Sequence, residues 1–150
     1  VPAFSGLGAP WWRDDIYASI SGMSRTTGRE EIVKAGCECI AYQINDVIDA
    51  MRKDSKIDIS QMCVDGGPTR NKYLMQFQSD ISQTEVKIPD AEELSVIGAG
   101  YLAGESAGYY DPDDIYKAIT YNFFETKMQE QERSEKVHGW NEAVEMLLKK

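Results

Sequence analysis

The ten residues Met62-Cys63-Val64-Asp65-Gly66-Gly67-Pro68-Thr69-Arg70-Asn71 constrain this chain more than any other stretch. The apolar run 62–65 reads as a short buried strand. A glycine pair follows, and then a helical pattern begins. A strand that turns through glycine into a helix is a building unit of layered α/β domains. Glycine has no Cβ, so its backbone can lie against a ligand and adopt positive φ. Pro68 is pre-set for a first helical turn, and the unbonded N–H groups and dipole of a helix start favour a phosphate. The segment points to nucleotide binding; a plain strand-to-helix turn is the other reading of the same glycines.

The flanking sequence supplies a matching alternation. Residues 1–15 form a loop rich in glycine, proline and aromatics, with Trp11 and Trp12 either a binding platform or a cap on a core or interface. Residues 16–20 alternate and read as a strand. A helix of about 20 residues starts at Thr27 or Gly28, with Glu30 and Glu31 in its first turn and apolar residues in a three-four rhythm to Met51. After the glycine pair, residues 69–81 read as a second helix, 84–88 as a strand closed by Pro89, and 95–107 as a third helix. Its Gly98, Gly100 and Gly104 suit close packing against a neighbour or ligand. A short helix is expected over 113–119 and a polar, exposed stretch over 125–135. A last amphipathic helix carries Trp140, Ala143, Val144, Leu147 and Leu148. The order predicts an α/β sheet flanked by helices, with extra helices at the end. Ligands of such sheets lie beyond the carboxyl ends of the strands, where Gly66 and Gly67 stand.

Charge narrows the partners. The 150 residues carry a net charge of −9, from 16 basic and 25 acidic residues. No basic stripe is present, which argues against nucleic acid. A polyphosphate would have to be held by local backbone dipoles and a metal against the global field. No run approaches the ~20 apolar residues of a membrane span, and no signal-peptide pattern is visible. Cys37, Cys39 and Cys63 are odd in number. The first two lie roughly 200° apart round a helix and cannot share a metal from one face. They read as buried free thiols of a cytoplasmic protein.

Four residues are candidates for the site. Gly66 and Gly67 let backbone approach an adenosine or an α-phosphate. Asn71 has an amide that can donate to and accept from an adenine edge, or be a solvated first-turn residue. Asp65 can bind Mg²⁺ through water or hold a ribose hydroxyl, or bond its own turn. His138 is the only histidine; with no partner nucleophile in sight a triad is disfavoured, and it reads as surface. Neither a G-x-x-x-x-G-K-[ST] loop nor a G-x-G-x-x-G fingerprint occurs.

Cys63-Val64-Asp65-Gly66-Gly67-Pro68-Thr69 resembles the adenosine motif of the actin-like ATPase (ribonuclease H-like) fold. Further segments narrow the resemblance to the carboxy-terminal domain of the FGGY carbohydrate kinases, nearest the members that phosphorylate glycerol. These are the opening run Val1-Pro2-Ala3-Phe4 through Trp11-Trp12, then Glu38-Cys39-Ile40-Ala41-Tyr42-Gln43, Leu74-Met75-Gln76-Phe77-Gln78-Ser79-Asp80, Gly98-Ala99-Gly100-Tyr101-Leu102-Ala103-Gly104 and Gly139-Trp140-Asn141-Glu142-Ala143-Val144. They fit in order and spacing over essentially the whole chain. The chain departs from the family's usual residues at Gly36, Cys37, Trp11-Trp12-Arg13-Asp14 and Ile16-Tyr17-Ala18, which bears on substrate rather than on family.

The resemblance implies one domain, 1–150, forming a partial actin-like domain whose first strands and substrate domain precede Val1. It implies transfer of phosphate from ATP, with Mg²⁺, to a polyol or sugar hydroxyl in the intact enzyme. Gly67 and Asn71 match positions that contact adenosine, whereas the carboxylate base and most polyol contacts lie upstream. Phosphoryl transfer depends on positioning across both domains, so the chain alone is expected to give no turnover. Other sugar or polyol substrates (xylulose, ribulose, erythritol) and a non-catalytic nucleotide-binding or interaction module are the alternatives. A sheet edge left open predicts a tendency to associate, and a homo-oligomer is compatible with it.

Overall fold

The computed structural model describes residues 1–91, 94–109 and 119–149. Its longest element is α1, Arg29–Ser55. Gly28 stands at its start, where the Glu31 side chain accepts the Gly28 N–H at 2.8 Å. Lys56, at φ 57° in the left-handed region, ends it and returns its N–H to the Arg52 carbonyl. The 27 residues exceed the length that periodicity indicates, because the charged run from Arg52 to Ser55 extends the helix by a further turn.

After α1 come β1 (Gln61–Cys63), a 3-10 turn (Gly67–Arg70), α2 (Lys72–Ser82), β2 (Glu85–Pro89) and α3 (Leu94–Ser106). Then follow β3 (Tyr121–Phe124) and α4 (Glu130–Leu148). Among the described residues the strands form one sheet in the order β1-β2-β3. β1 runs parallel to β2, with Met62 opposite Val86. β3 returns antiparallel, with Phe124 opposite Val86 and Tyr121 opposite Pro89.

Several sequence expectations change here. Residues 16–20 form no strand: among the described residues their one pairing is between Ser19 and Val1, which exchange both backbone bonds at 3.0 and 2.9 Å. Ile16 is buried under α4, while Tyr17, Ala18 and Ile20 stand exposed; the alternation in sequence does not become a buried face, and among the described residues no strand lies beside it. β1 is not buried; it is an edge strand with Gln61 and Cys63 exposed. The expected helix 69–81 divides into the 3-10 turn and α2. β3 was hidden inside a stretch with too few alternating residues to stand out. The polar run 125–135 is part loop and part α4, which starts at Glu130. In α3, no described residue is buried, and among the described residues a Cβ at Gly98 would meet nothing within 4 Å. The expected helix 113–119 falls almost wholly outside the described residues.

Two apolar clusters hold the elements together. One gathers Ala3, Leu7 and Ile16 from the opening loop with Trp140, Val144 and Leu147 of α4. The other gathers Ala41 of α1, Leu74, Phe77 and Ile81 of α2 and Val86 of β2. Each fully buried large side chain contributes about 1.5–3 kcal/mol relative to exposure. Cys39 packs on the first cluster and Cys37 on the second, as two residues on opposite sides of one helix must. All three cysteines are free thiols; Cys63 is exposed rather than buried, because β1 is an edge.

Arg52 ties the end of α1 to this frame. Its guanidinium donates to the Ser82 carbonyl, the Ile59 carbonyl and Thr84 Oγ1, each at 2.8 Å. The start of β1 and the α2–β2 link are thereby fixed relative to one another, and the glycine turn sits at the far end of the two strands so aligned.

Candidate functional site

Beyond Cys63 the pairing with β2 continues for one residue: the Val64 N–H donates to the Lys87 carbonyl at 3.0 Å. Asp65 then leaves the sheet, and Gly66 adopts φ 98° and ψ 175°. This region of backbone space is essentially reserved for glycine. The turn closes on Gly66, whose carbonyl accepts the Thr69 N–H at 3.0 Å and the Thr69 hydroxyl at 2.7 Å. Pro68 sits at the start of the resulting 3-10 turn. Gly67 faces open space, with nothing within 4 Å of where a Cβ would stand.

Between this turn and the end of β2 lies a cleft of about 370 Å³. Asp65, Gly66, Gly67, Thr69 and Arg70 form one wall, and residues 89–91 form the other. The cleft opens at the carboxyl ends of two adjacent parallel strands, the usual ligand position in such sheets. Its second wall was readable in principle, since residues following the strand 84–88 must emerge beside those following β1. Thr69 and Arg70 carried no motif signal of their own.

The four sequence candidates fare differently. Asp65, Gly66 and Gly67 line the cleft together. Asp65 takes no part in the turn, which Thr69 closes instead; its carboxylate accepts no hydrogen bond among the described residues. Asn71 stands just behind the cleft as the N-cap of α2. Its Oδ1 accepts the Leu74 N–H at 3.2 Å, and its Nδ2 donates to Cys37 Sγ at 3.4 Å. An amide has two donor hydrogens and two acceptor lone pairs, so one of each is left for a ligand. The start of α2 therefore lies one turn later than the glycine pair, with the 3-10 turn between them.

The surroundings of Asn71 are fixed by α1. Tyr73, two residues on, donates its hydroxyl to Glu38 of α1. Burial, and then the Glu38 carboxylate, push the Tyr73 phenol above its usual range. It stays a neutral donor at ordinary pH and locks the first turn of α2 to α1. His138 is a surface residue of α4, with Nε2 3.4 Å from Glu142 Oε1. Trp11 reaches inward to Asp46, and Trp12 is exposed, so the two tryptophans form no joint platform.

Comparison with known proteins gives this arrangement its family. The carboxy-terminal domain model of the FGGY family of carbohydrate kinases matches residues 1–107. The chain belongs to the FGGY carbohydrate kinase family. It is 47% identical over 99% of its length to a glycerol kinase of Natranaerobius thermophilus, and 42% identical over 97% to one of Staphylococcus haemolyticus. It spans about 30% of the length of those relatives.

Among solved structures it is similar to the glycerol kinase of Plasmodium falciparum crystallised with ADP. The TM-score is 0.88 at 41% identity, over 99% of this chain and 30% of that one. A xylulose-type kinase of Brucella ovis shares the fold, with a TM-score of 0.78 at 21% identity over 98% of this chain. The architecture is thus the α/β fold of the actin-like ATPases, as used by FGGY kinases. No described helix is long and apolar enough to cross a membrane. Among the described residues no three His, Cys, Asp or Glu side chains come together where they could hold a metal ion.

Proposed function

We propose that residues 1–150 are the carboxy-terminal, nucleotide-holding part of an ATP-dependent polyol kinase, with glycerol as acceptor and glycerol 3-phosphate as product. The observation that carries this reading is the Gly66–Gly67 turn. Its strained backbone bares the Gly67 peptide to a cleft at the strand ends, in a chain whose relatives at 42–47% identity are glycerol kinases. The xylulose-type kinases are similar to it in fold alone, which favours glycerol over a ketose.

In this reading the Gly67 backbone lies against the adenosine, and the remaining amide donor and acceptor of Asn71 meet the base edge. Asp65 lies within the same cleft, placed for a ribose hydroxyl. Mg²⁺ suits a site made of nucleotide phosphates and one or two carboxylates with retained water; Asp65 and Asp90 are the carboxylates of this cleft, and the metal would neutralise phosphate charge. The acceptor site and the base that takes the hydroxyl proton belong to residues outside the chain. A reaction that draws on ATP and produces a phosphorylated polyol suits a cytoplasmic protein.

The test is a valine at Gly67. With open space at that position, Gly67→Val leaves melting unchanged and lowers ADP affinity at least about tenfold, the size of one lost close contact. Unchanged affinity with unchanged melting would place the nucleotide elsewhere.

A further inference from the structure

The cleft has an uneven charge. Of the residues lining it, Asp65 and Asp90 are acidic and Arg70 alone is basic. The chain as a whole carries −9, so neither the local carboxylates nor the global field attracts a polyphosphate. Arg70 is also placed by the turn itself. In a 3-10 helix residues three apart eclipse one another, and Gly67 and Arg70 are the first and last residues of that turn. A ligand lying across the bared Gly67 peptide therefore has the stem of Arg70 directly alongside.

We propose that Arg70 is a further nucleotide-binding residue of this site. Its guanidinium offsets the Asp65 and Asp90 carboxylates and bonds the phosphates of the bound nucleotide. The inference rests on the nucleotide reading of the cleft and adds to it the residue that sets affinity for the charged part of the ligand. Arginine suits the task because its planar fork bonds phosphate oxygens through two parallel N–H groups. Asn71 and Gly67 then select the base while Arg70 selects for the diphosphate.

The experiment follows the amide signals of Gly66, Gly67 and Thr69 by nuclear magnetic resonance during titration with ADP and, separately, with adenosine. The chain and its Arg70→Ala, Arg70→Lys and Gly67→Val variants are compared at low and moderate salt. Arg70→Ala is expected to weaken ADP about tenfold, the size of one charge-assisted bond, to flatten its salt dependence and to leave adenosine unchanged. Arg70→Lys restores most of the ADP affinity. The proposal is overturned if Arg70→Ala leaves ADP affinity unchanged, or weakens adenosine as much as ADP, while Gly67→Val still weakens ADP binding; the nucleotide reading then stands without it. If the unaltered chain shifts none of these signals with ADP, or Gly67→Val binds as well as the parent, the nucleotide reading fails and the role of Arg70 with it.

Discussion

Trp140 of α4 donates its indole N–H to Asp46 Oδ2 of α1 at 2.9 Å, and Trp11 of the opening loop donates to the same oxygen at 3.0 Å. One carboxylate oxygen thus joins three parts of the chain that are far apart in sequence. The Trp140 ring also stacks on Tyr42, with centroids 5.2 Å apart and planes within 8°. Trp140→Phe keeps an aromatic stack and loses only the hydrogen bond, so it is expected to cost about 1–2 kcal/mol in urea unfolding. Trp140→Ala removes both and is expected to cost about 3–5 kcal/mol. Equal losses for the two variants would mean that the ring packing contributes nothing.

Asp46 also gives the protein a pH dependence. Burial raises its carboxyl above the ordinary value near 3.8, and the two indole bonds oppose that rise without cancelling it. A carboxyl that binds its proton more tightly folded than unfolded adds stability below its unfolded value. That addition is lost as pH rises through the folded value. Asp46→Asn keeps an acceptor for both indoles and has no charge to bury. Its stability relative to the parent should therefore improve as pH rises from about 4 to 7, read as the difference between paired denaturation curves. A constant difference across that range would remove Asp46 as the source.

Asp80 fixes the start of the segment leading into α4. Its Oδ1 accepts the backbone N–H groups of Lys127 and Met128 at 2.7 and 3.1 Å, and the Gln76 side chain at 3.2 Å. Asp80→Ala leaves both amides without their acceptor and should cost about 3 kcal/mol. Asp80→Asn retains an acceptor and should cost about 1 kcal/mol. Hydrogen exchange at Lys127 and Met128 should quicken in the alanine variant before the rest of the chain opens. Protection unchanged at those two amides would show that water or another group takes over the role.

Gly66 and Gly67 should respond differently to alanine. Gly66→Ala forces a side chain into a glycine-only backbone region and should cost about 1–3 kcal/mol. Gly67→Ala, with no positive φ and open space around it, should leave thermal stability within about 0.5 kcal/mol. Melting curves of the two variants separate the conformational demand of the turn from the access that the ligand needs.

Much of this was legible in the sequence, for identifiable reasons. The glycine turn was visible because Gly66 must occupy a backbone region closed to other residues. The long α1 was visible because its acidic first turn and apolar rhythm agree. The α4 face was visible because Trp140, Val144 and Leu147 recur at helical spacing and are buried together. The rest depended on long-range pairing. β3 is a strand only because β2 supplies its ladder, and residues 16–20 are not one because no strand among the described residues lies beside them. Asn71 reads in the sequence as a first-turn helix residue; its Oδ1 on the Leu74 N–H makes it the cap instead. Arg70 joined the lining of the cleft only with the 3-10 turn, in place of the α-helical start that Pro68 had indicated.

The Tyr42 ring stacks on Trp140 on one side and meets Phe77 edge-on at 5.5 Å on the other. It therefore belongs to both apolar clusters at once. A break in either cluster strips contacts from the other, so the opening loop with α4 and the layer behind the Gly66–Gly67 cleft are expected to melt together. The position of that one ring predicts a single cooperative transition, in which the loss of α4 is felt at the glycine turn.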